Sequence, residues 1–365
     1  MSWLVWLMVG CTTVLILGSM LYFIVLASGH LHGQSKHAEP DESSALQLTP
    51  RARQSWGTWR IIRIHEMDSV VFSLSEDGNH VAELMEDTLH LKVLTPHYGF
   101  EHVHTWHNVG NPERFVVSNS GTHVVTATAN SIHMLTVKGE PIEIPLSEGT
   151  TIMKLLYRDD NLCYSTHDSE SNQGSFTMVD QRGNIMQTIQ GGPLFASDFA
   201  IRGEWLALTN SAQTEVLRFL WNAEKRRFET YDTLLYVDAE ETSMFPHGVA
   251  VDTVGNVVVT DPTRSRDELC EIGAIRVGSE WLYNHEPEAY QYFGNGVVLR
   301  GYHMMVTDRK GTVWSYDRCN EDNQWDPMQK LNGTMVGWKH DGANQYLWLR
   351  QEDQLVCYER VMAST

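Results

Sequence analysis

PHGVAVDTVGNVVVTD, residues 246–261, holds two short apolar runs on either side of a Gly255–Asn256 turn. Val249 and Val251 alternate onto one face before the turn, and Val257 and Val259 do so after it. β-branched residues suit a pleated surface, and alternation with period two is the mark of a strand. A turn carrying Gly and Asn between two such runs predicts an antiparallel hairpin.

Outward from this hairpin, short strand pairs of the same kind recur along the chain from Trp56. VVFSLSEDGNHVAELM turns at Asp77-Gly78-Asn79, and RFVVSNSGTHVVTATANSIHMLTV turns at Ser120-Gly121. MKLLYRDDNLCYSTH turns near Asp159-Asp160-Asn161, with a further hairpin at Arg182-Gly183-Asn184, and FAIRGEWLALTN turns at Arg202-Gly203. VVLRGYHMMVTDRKGTVWSYD and VGWKHDGANQYLWLRQEDQLVCYE follow, with turns at Arg300-Gly301, Lys310-Gly311 and Asp341-Gly342. Successive turns at 78, 121, 161, 203, 255, 301 and 342 are 43, 40, 42, 52, 46 and 41 residues apart. That spacing belongs to propeller blades of four strands each. The fold expected is therefore all-β, a seven-bladed β-propeller over residues 56–361, with a six-bladed ring or a β-sandwich pair as the alternatives. Trp59–Ile64 stands ahead of the first full unit. It is placed to complete the last blade by pairing near Leu355–Tyr358, which would remove the open edges of an incomplete circle. No stretch beyond residue 29 predicts a long helix, although Ala223–Arg227 is suited to a helical turn.

The 246–261 stretch resembles the NHL-type propeller repeat, whose pattern P-x-G-V-A-V-D-x-x-G-N-V-x-V-T-D it follows closely in this one copy. Its opening, PHGVAVD, is also similar to the Pro-His-Gly blade start of the peptidyl-hydroxyglycine lyases, NHL-type propellers in which such histidines bind zinc. The resemblance implies a metal ligand at His247, near one mouth of the central channel. That family draws several metal histidines from different blades, and the P-H-G pattern occurs once here.

Composition bounds the function. The formal charge is −19 with a pI near 5.3, and the 27 basic residues form no run, which argues against a nucleic-acid surface. Five cysteines stand at 11, 163, 270, 319 and 357 without a C-x-x-C pair. Buried thiols are the commoner fate of such cysteines, and two disulfides are the alternative in an oxidising compartment.

Ahead of the propeller, Trp3–Leu26 carries no charge over its length, enough at 1.5 Å per residue to cross a bilayer core of roughly 30 Å. Trp3, Trp6, Tyr22 and Phe23 lie near its ends, as interfacial aromatics do. The segment 3–26 is therefore expected to be a single transmembrane helix, a signal anchor that places lipid among the partners. A cleaved signal peptide is the rival reading, but the basic n-region is missing and the apolar run is too long. Residues 29–54 are polar and aperiodic and are expected to be a linker. The two-residue tail before the helix points to an extracytoplasmic propeller, periplasmic or luminal.

Other site candidates are few. His102 and His104 in EHVHTWH lie two apart, so on a regular strand they would share a face and could share a Zn²⁺ ion given a third ligand. Asp252, Asp261 and Asp308 sit at strand ends, where carboxylates cap turns. No P-loop, G-x-S-x-G elbow, H-E-x-x-H or dinucleotide fingerprint is present. The expected function is a membrane-anchored scaffold whose rim docks other proteins of a membrane complex, with twelve Trp and thirteen Tyr as potential anchors and no cofactor. The alternative is a membrane-anchored propeller enzyme, a metal-dependent lactonase or lyase using Zn²⁺ or Ca²⁺, or a quinoprotein-like dehydrogenase. It would need charged or imidazole groups from at least three blades on one channel mouth.

Overall fold

The computed structural model describes residues 58–67, 71–95, 99–190, 197–235 and 246–261, and then 274–277, 280–283, 296–300, 303–307, 312–318, 325–341, 344–352 and 354–361. All of these belong to the second of the chain's two compact units, Gln54–Thr365. The helix expected at 3–26, the linker at 29–54, Cys11, Cys270, Cys319 and Asp308 lie outside the described residues, within which no helix is long and apolar enough to cross a membrane.

The described residues form seven four-stranded antiparallel sheets, and the architecture is an all-β propeller. Six sheets are sequential meanders. The first comprises β2 (Phe72–Leu74), β3 (His80–Met85), β4 (Thr88–Leu94) and β5 (Phe100–Trp106), and the second β6 (Arg114–Val117), β7 (His123–Ala127), β8 (Ser131–Thr136) and β9 (Ile142–Pro145). The third holds β10 (Thr150–Arg158), β11 (Asn161–Asp168), β12 (Gln173–Val179) and β13 (Ile185–Ile189), and the fourth β14 (Phe199–Arg202), β15 (Trp205–Asn210), β16 (Glu215–Asn222) and β17 (Arg227–Leu235). In the fifth are β18 (Gly248–Val251), β19 (Val257–Asp261), β20 (Ala274–Val277) and β21 (Glu280–Tyr283), and in the sixth β22 (Gly296–Arg300), β23 (His303–Thr307), β24 (Thr312–Arg318) and β25 (Trp325–Asn332). The last sheet combines the two ends of the domain: β26 (Thr334–Asp341), β27 (Asn344–Gln351) and β28 (Gln354–Val361) are completed by the N-terminal β1 (Thr58–Glu66).

This closure has the partners that the sequence expects, with Thr58 opposite Val361 and Glu66 opposite Gln354. Trp59 locks it. The indole is buried in the seam between the sixth and last sheets, donates to Ser315 Oγ at 3.2 Å and meets Trp338 edge-on. The amide side chain of Gln329 clasps the main chain of Trp59, accepting from its N–H at 2.7 Å and donating to its carbonyl at 3.1 Å. Gln187 clasps Phe228 in the same way between the third and fourth sheets.

The core is divided among the seams between neighbouring sheets. Period-two alternation sends successive residues of one strand to opposite seams, so interior strands are apolar on both faces. Val249, Val251, Val257 and Val259 pack against the fourth sheet, whereas Ala250 and Val258 pack against the sixth. Tyr346 and Trp348 likewise face the first sheet while Leu347 and Leu349 face the sixth. Turn chemistry follows the sequence. Asp252 accepts from the backbone N–H groups of Val254 and Asn256 and from the Asn256 side chain. Gly255 has φ +88°, and a Cβ there would stand 2.6 Å from the Trp205 indole. The side chain of Asp261 lies outside the described residues. Residues 223–226 form the hairpin turn between β16 and β17, with no helical turn.

Five outermost strands carry a β-bulge, at Ile62, Val103, Met186, Tyr231 and Met328. Bulges twist an exposed edge away from further pairing and re-aim the side chain at the extra residue.

Cys163 and Cys357 are free and buried in different seams. Burial pushes both thiols up to about 12. Neither should react with iodoacetamide at pH 8 in the native protein, because the thiolate is the nucleophile. Mass spectrometry should find both alkylated once the chain is unfolded; native-state modification of either would contradict this burial.

Candidate functional site

The first strand of every sheet lines a central channel of about 470 Å³, and its walls are largely apolar, with Leu74, Val116, Leu156, Ile201, Val298 and Met335 among them. At one end the turns between first and second strands gather around a polar vestibule of about 500 Å³. Glu76, Asp77, Asn119, Arg158, Asp159 and Arg202 border it, from four consecutive sheets. Channel and vestibule share Glu76, Tyr157, Ile201, Arg202 and Trp338 at the waist between them.

Glu76 and Arg202 pair across this waist at 2.9 Å, although two sheets intervene between theirs along the ring. The other charges are held locally. Asp77 accepts from Ser75 Oγ and from the main chain of Asn79, while its own N–H reaches Asn119 Oδ1 at 3.1 Å. Arg158 lies 4.3 Å over the Trp221 ring and 4.8 Å over Phe228, and donates to the Gly203 carbonyl at 3.1 Å. Its burial lowers the guanidinium pKa, and the nearby Asp159, 3.5 Å away, opposes that shift. Asp159 and Asp160 both adopt positive φ, a conformation that Asp tolerates better than most residues.

Near the opposite ends of the first strands, Asp198 joins three sheets. Its carboxylate pairs with Lys154 Nζ at 2.5 Å and accepts from the N–H groups of Phe199 at 2.8 Å and Val249 at 2.9 Å. His247 lies beside this network and contributes its main chain: its N–H donates to the Thr260 carbonyl at 2.9 Å, and its carbonyl accepts from Ser197 Oγ at 3.2 Å. The histidine stands directly ahead of β18, the innermost strand of its sheet.

His102 and His104 do not share a face. The bulge at Val103 sets His102 opposite Lys92 and His104 opposite Leu91, which are neighbours on one strand and so point apart. His102 bonds Thr105 Oγ1 at 2.7 Å, the same hydroxyl that His90 reaches at 3.1 Å, whereas His104 meets the Trp106 ring at 4.6 Å. Both belong to the outermost strand of the first sheet and His247 to the fifth, so the three do not converge. Among the described residues no group of three or more His, Cys, Asp or Glu side chains could hold a metal ion.

A surface cluster that the sequence reading missed lies where the fourth and fifth sheets meet. Trp205 and Tyr231 are edge to face at 4.7 Å, and the Arg218 guanidinium lies 5.6 Å and 5.3 Å from their rings. Arg218 forks onto the Asp232 carboxylate and donates to the Gly255 carbonyl at 2.6 Å. Tyr231 is the bulged residue of β17 and is 56% exposed; Val254, beside Gly255, is 72% exposed. One sequence signal pointed here: Gly255, the turn residue against which Trp205 packs.

No family model matches the chain, and no curated protein matches it. Its structural neighbours are β-propellers. The WD40 repeats of RRP9 superpose with a TM-score of 0.51 at 11% identity, covering 85% of this chain and 99% of that one. Streptogramin B lyase gives 0.51 at 13% identity over 84% and 98%. BBS1N, solved in complex with ARL6DN, gives 0.50 at 11% over 85% and 98%. At these identities the likeness is one of fold.

Proposed function

We propose that this protein is a scaffold: an NHL-type propeller whose seven sheets are the blades of one ring, tethered by residues 3–26 to the extracytoplasmic side of a membrane, where it docks proteins of a membrane complex. The Trp205–Arg218–Tyr231–Val254 cluster carries this reading. Trp, Tyr and Arg are the residues in which binding hot spots are richest, and here they stand together at the surface, with the Arg side chain pre-oriented by Asp232. The propeller fold supports it, since BBS1N, a neighbour in fold, is a partner-bound propeller. The NHL-type assignment has its support in residues 246–261, and the tether in the uncharged run at 3–26.

The test places a photoreactive benzoylphenylalanine at Val254 in the full chain, extracted in mild detergent from its own membranes. Discrete cross-linked adducts are expected, and Tyr231→Ala should weaken them by about tenfold, a usual loss for one hot-spot aromatic. No adduct, or adducts of undiminished yield in Tyr231→Ala, would overturn the assignment.

A second reading, a propeller enzyme, has one observation in its favour: Glu76, Asp77, Arg158, Asp159 and Arg202 reach one vestibule from three sheets. Stoichiometric Zn²⁺ or Ca²⁺ in the purified full chain would favour it over the scaffold.

A further inference from the structure

We infer that the central channel is a binding site for a small amphiphile, an apolar body with a cationic head, and this goes beyond the scaffold reading. Small-molecule sites are typically concave, of about 300–1,000 Å³, mostly apolar, with a few polar groups that fix orientation. The channel meets each condition. Its volume is about 470 Å³, and every sheet contributes its first strand to the wall. Two cations are among its described lining residues, and both are paired, Lys154 with Asp198 and Arg202 with Glu76. The polar vestibule opens at one end, so the cavity has a direction: an apolar body lies between the first strands and a polar head lies in the vestibule.

The sign of the head follows from the charges there. Among the described residues, Glu76, Asp77 and Asp159 face Arg158 and Arg202 around the vestibule, one carboxylate more than the guanidinium groups. Arg202 is engaged by Glu76, and Arg158 is held between two aromatic faces and the Gly203 carbonyl, so neither guanidinium is poised to take up an anion.

The experiment uses the full chain in lipid nanodiscs and a diazirine-bearing octyltrimethylammonium probe, with modified peptides mapped by mass spectrometry. Labelling should concentrate on peptides containing β6, β10, β22 and β26, and it should saturate. Octyltrimethylammonium should displace the probe at about tenfold lower concentration than octyl sulfate, given one excess charge in a partly shielded mouth. Glu76→Gln should remove most of that difference while leaving inner-strand labelling in place. Val116→Trp and Val298→Trp, plugs from different sheets, should each lower inner-strand labelling without affecting outer-strand labelling. Labelling that does not saturate, labelling confined to outer strands, or octyl sulfate competing as well as the cation would overturn the inference. The competition arms on the unsubstituted chain decide the matter even if a plug variant fails to fold.

Discussion

Trp59→Ala is expected to lower the melting temperature of the whole propeller by about 6–20 °C, as a single shifted transition. Trp59 is 4% exposed, fills the last seam with Trp338 and Leu347, and donates to Ser315. Truncating a buried Trp to Ala typically costs about 3–5 kcal/mol through lost transfer energy and the cavity left behind. At about 2–4 °C per kcal/mol for a domain of this size, the expected shift follows. The loss should be global because β1 is the only strand of its sheet that comes from the N-terminal end, and without its anchor β28 has a free edge. Calorimetry checks this. An unchanged main transition, with a small separate event at lower temperature, would mean that β1 frays independently of the ring.

Asp198→Ala is the second substitution with a large expected effect, a loss of about 2–4 kcal/mol. It would leave the N–H groups of Phe199 and Val249 and the Lys154 ammonium without the carboxylate that each now meets. Removing one partner of a shielded polar set costs more than the set itself contributes, because the remaining groups keep their desolvation penalty. Two features separate this from a generic surface loss. Asp198→Ala in a Lys154→Met background should cost less than the sum of the single substitutions, since the two side chains are in direct contact. The loss should also register as a shift in denaturant midpoint at constant m-value. Strict additivity of the two substitutions would show that the ion pair does not couple the third and fourth sheets.

The sequence exposed what is local. The alternation in VAVD and VVVT, the Asp252 cap and the turn at Gly255 all depend on neighbours within a dozen residues, and these appear in the structure as read. Closure through Trp59–Ile64 was legible for a different reason: a strand left over at one end and a gap at the other can meet only by joining the ends. Bulges were not legible. An inserted residue leaves the apolar alternation looking intact on either side, so His102 and His104 read as one face when Val103 turns them apart. The bulge at Ile62 in β1 is hidden in the same way by the apolar residues around it. The pairs at the channel mouths were illegible as well. Lys154 and Asp198 are 44 residues apart, and Glu76 and Arg202 are 126 apart. Only ring closure brings them together.

Hydrogen exchange on the full chain tests that closure most directly. If β1 is the fourth strand of the last sheet, those amides of residues 59–66 that point to β28 should share the slow exchange of residues 355–360 and lose it in the same global opening, because both belong to one cooperative ladder. Fast exchange at those amides beside persistent protection at 355–360 would contradict the closed ring.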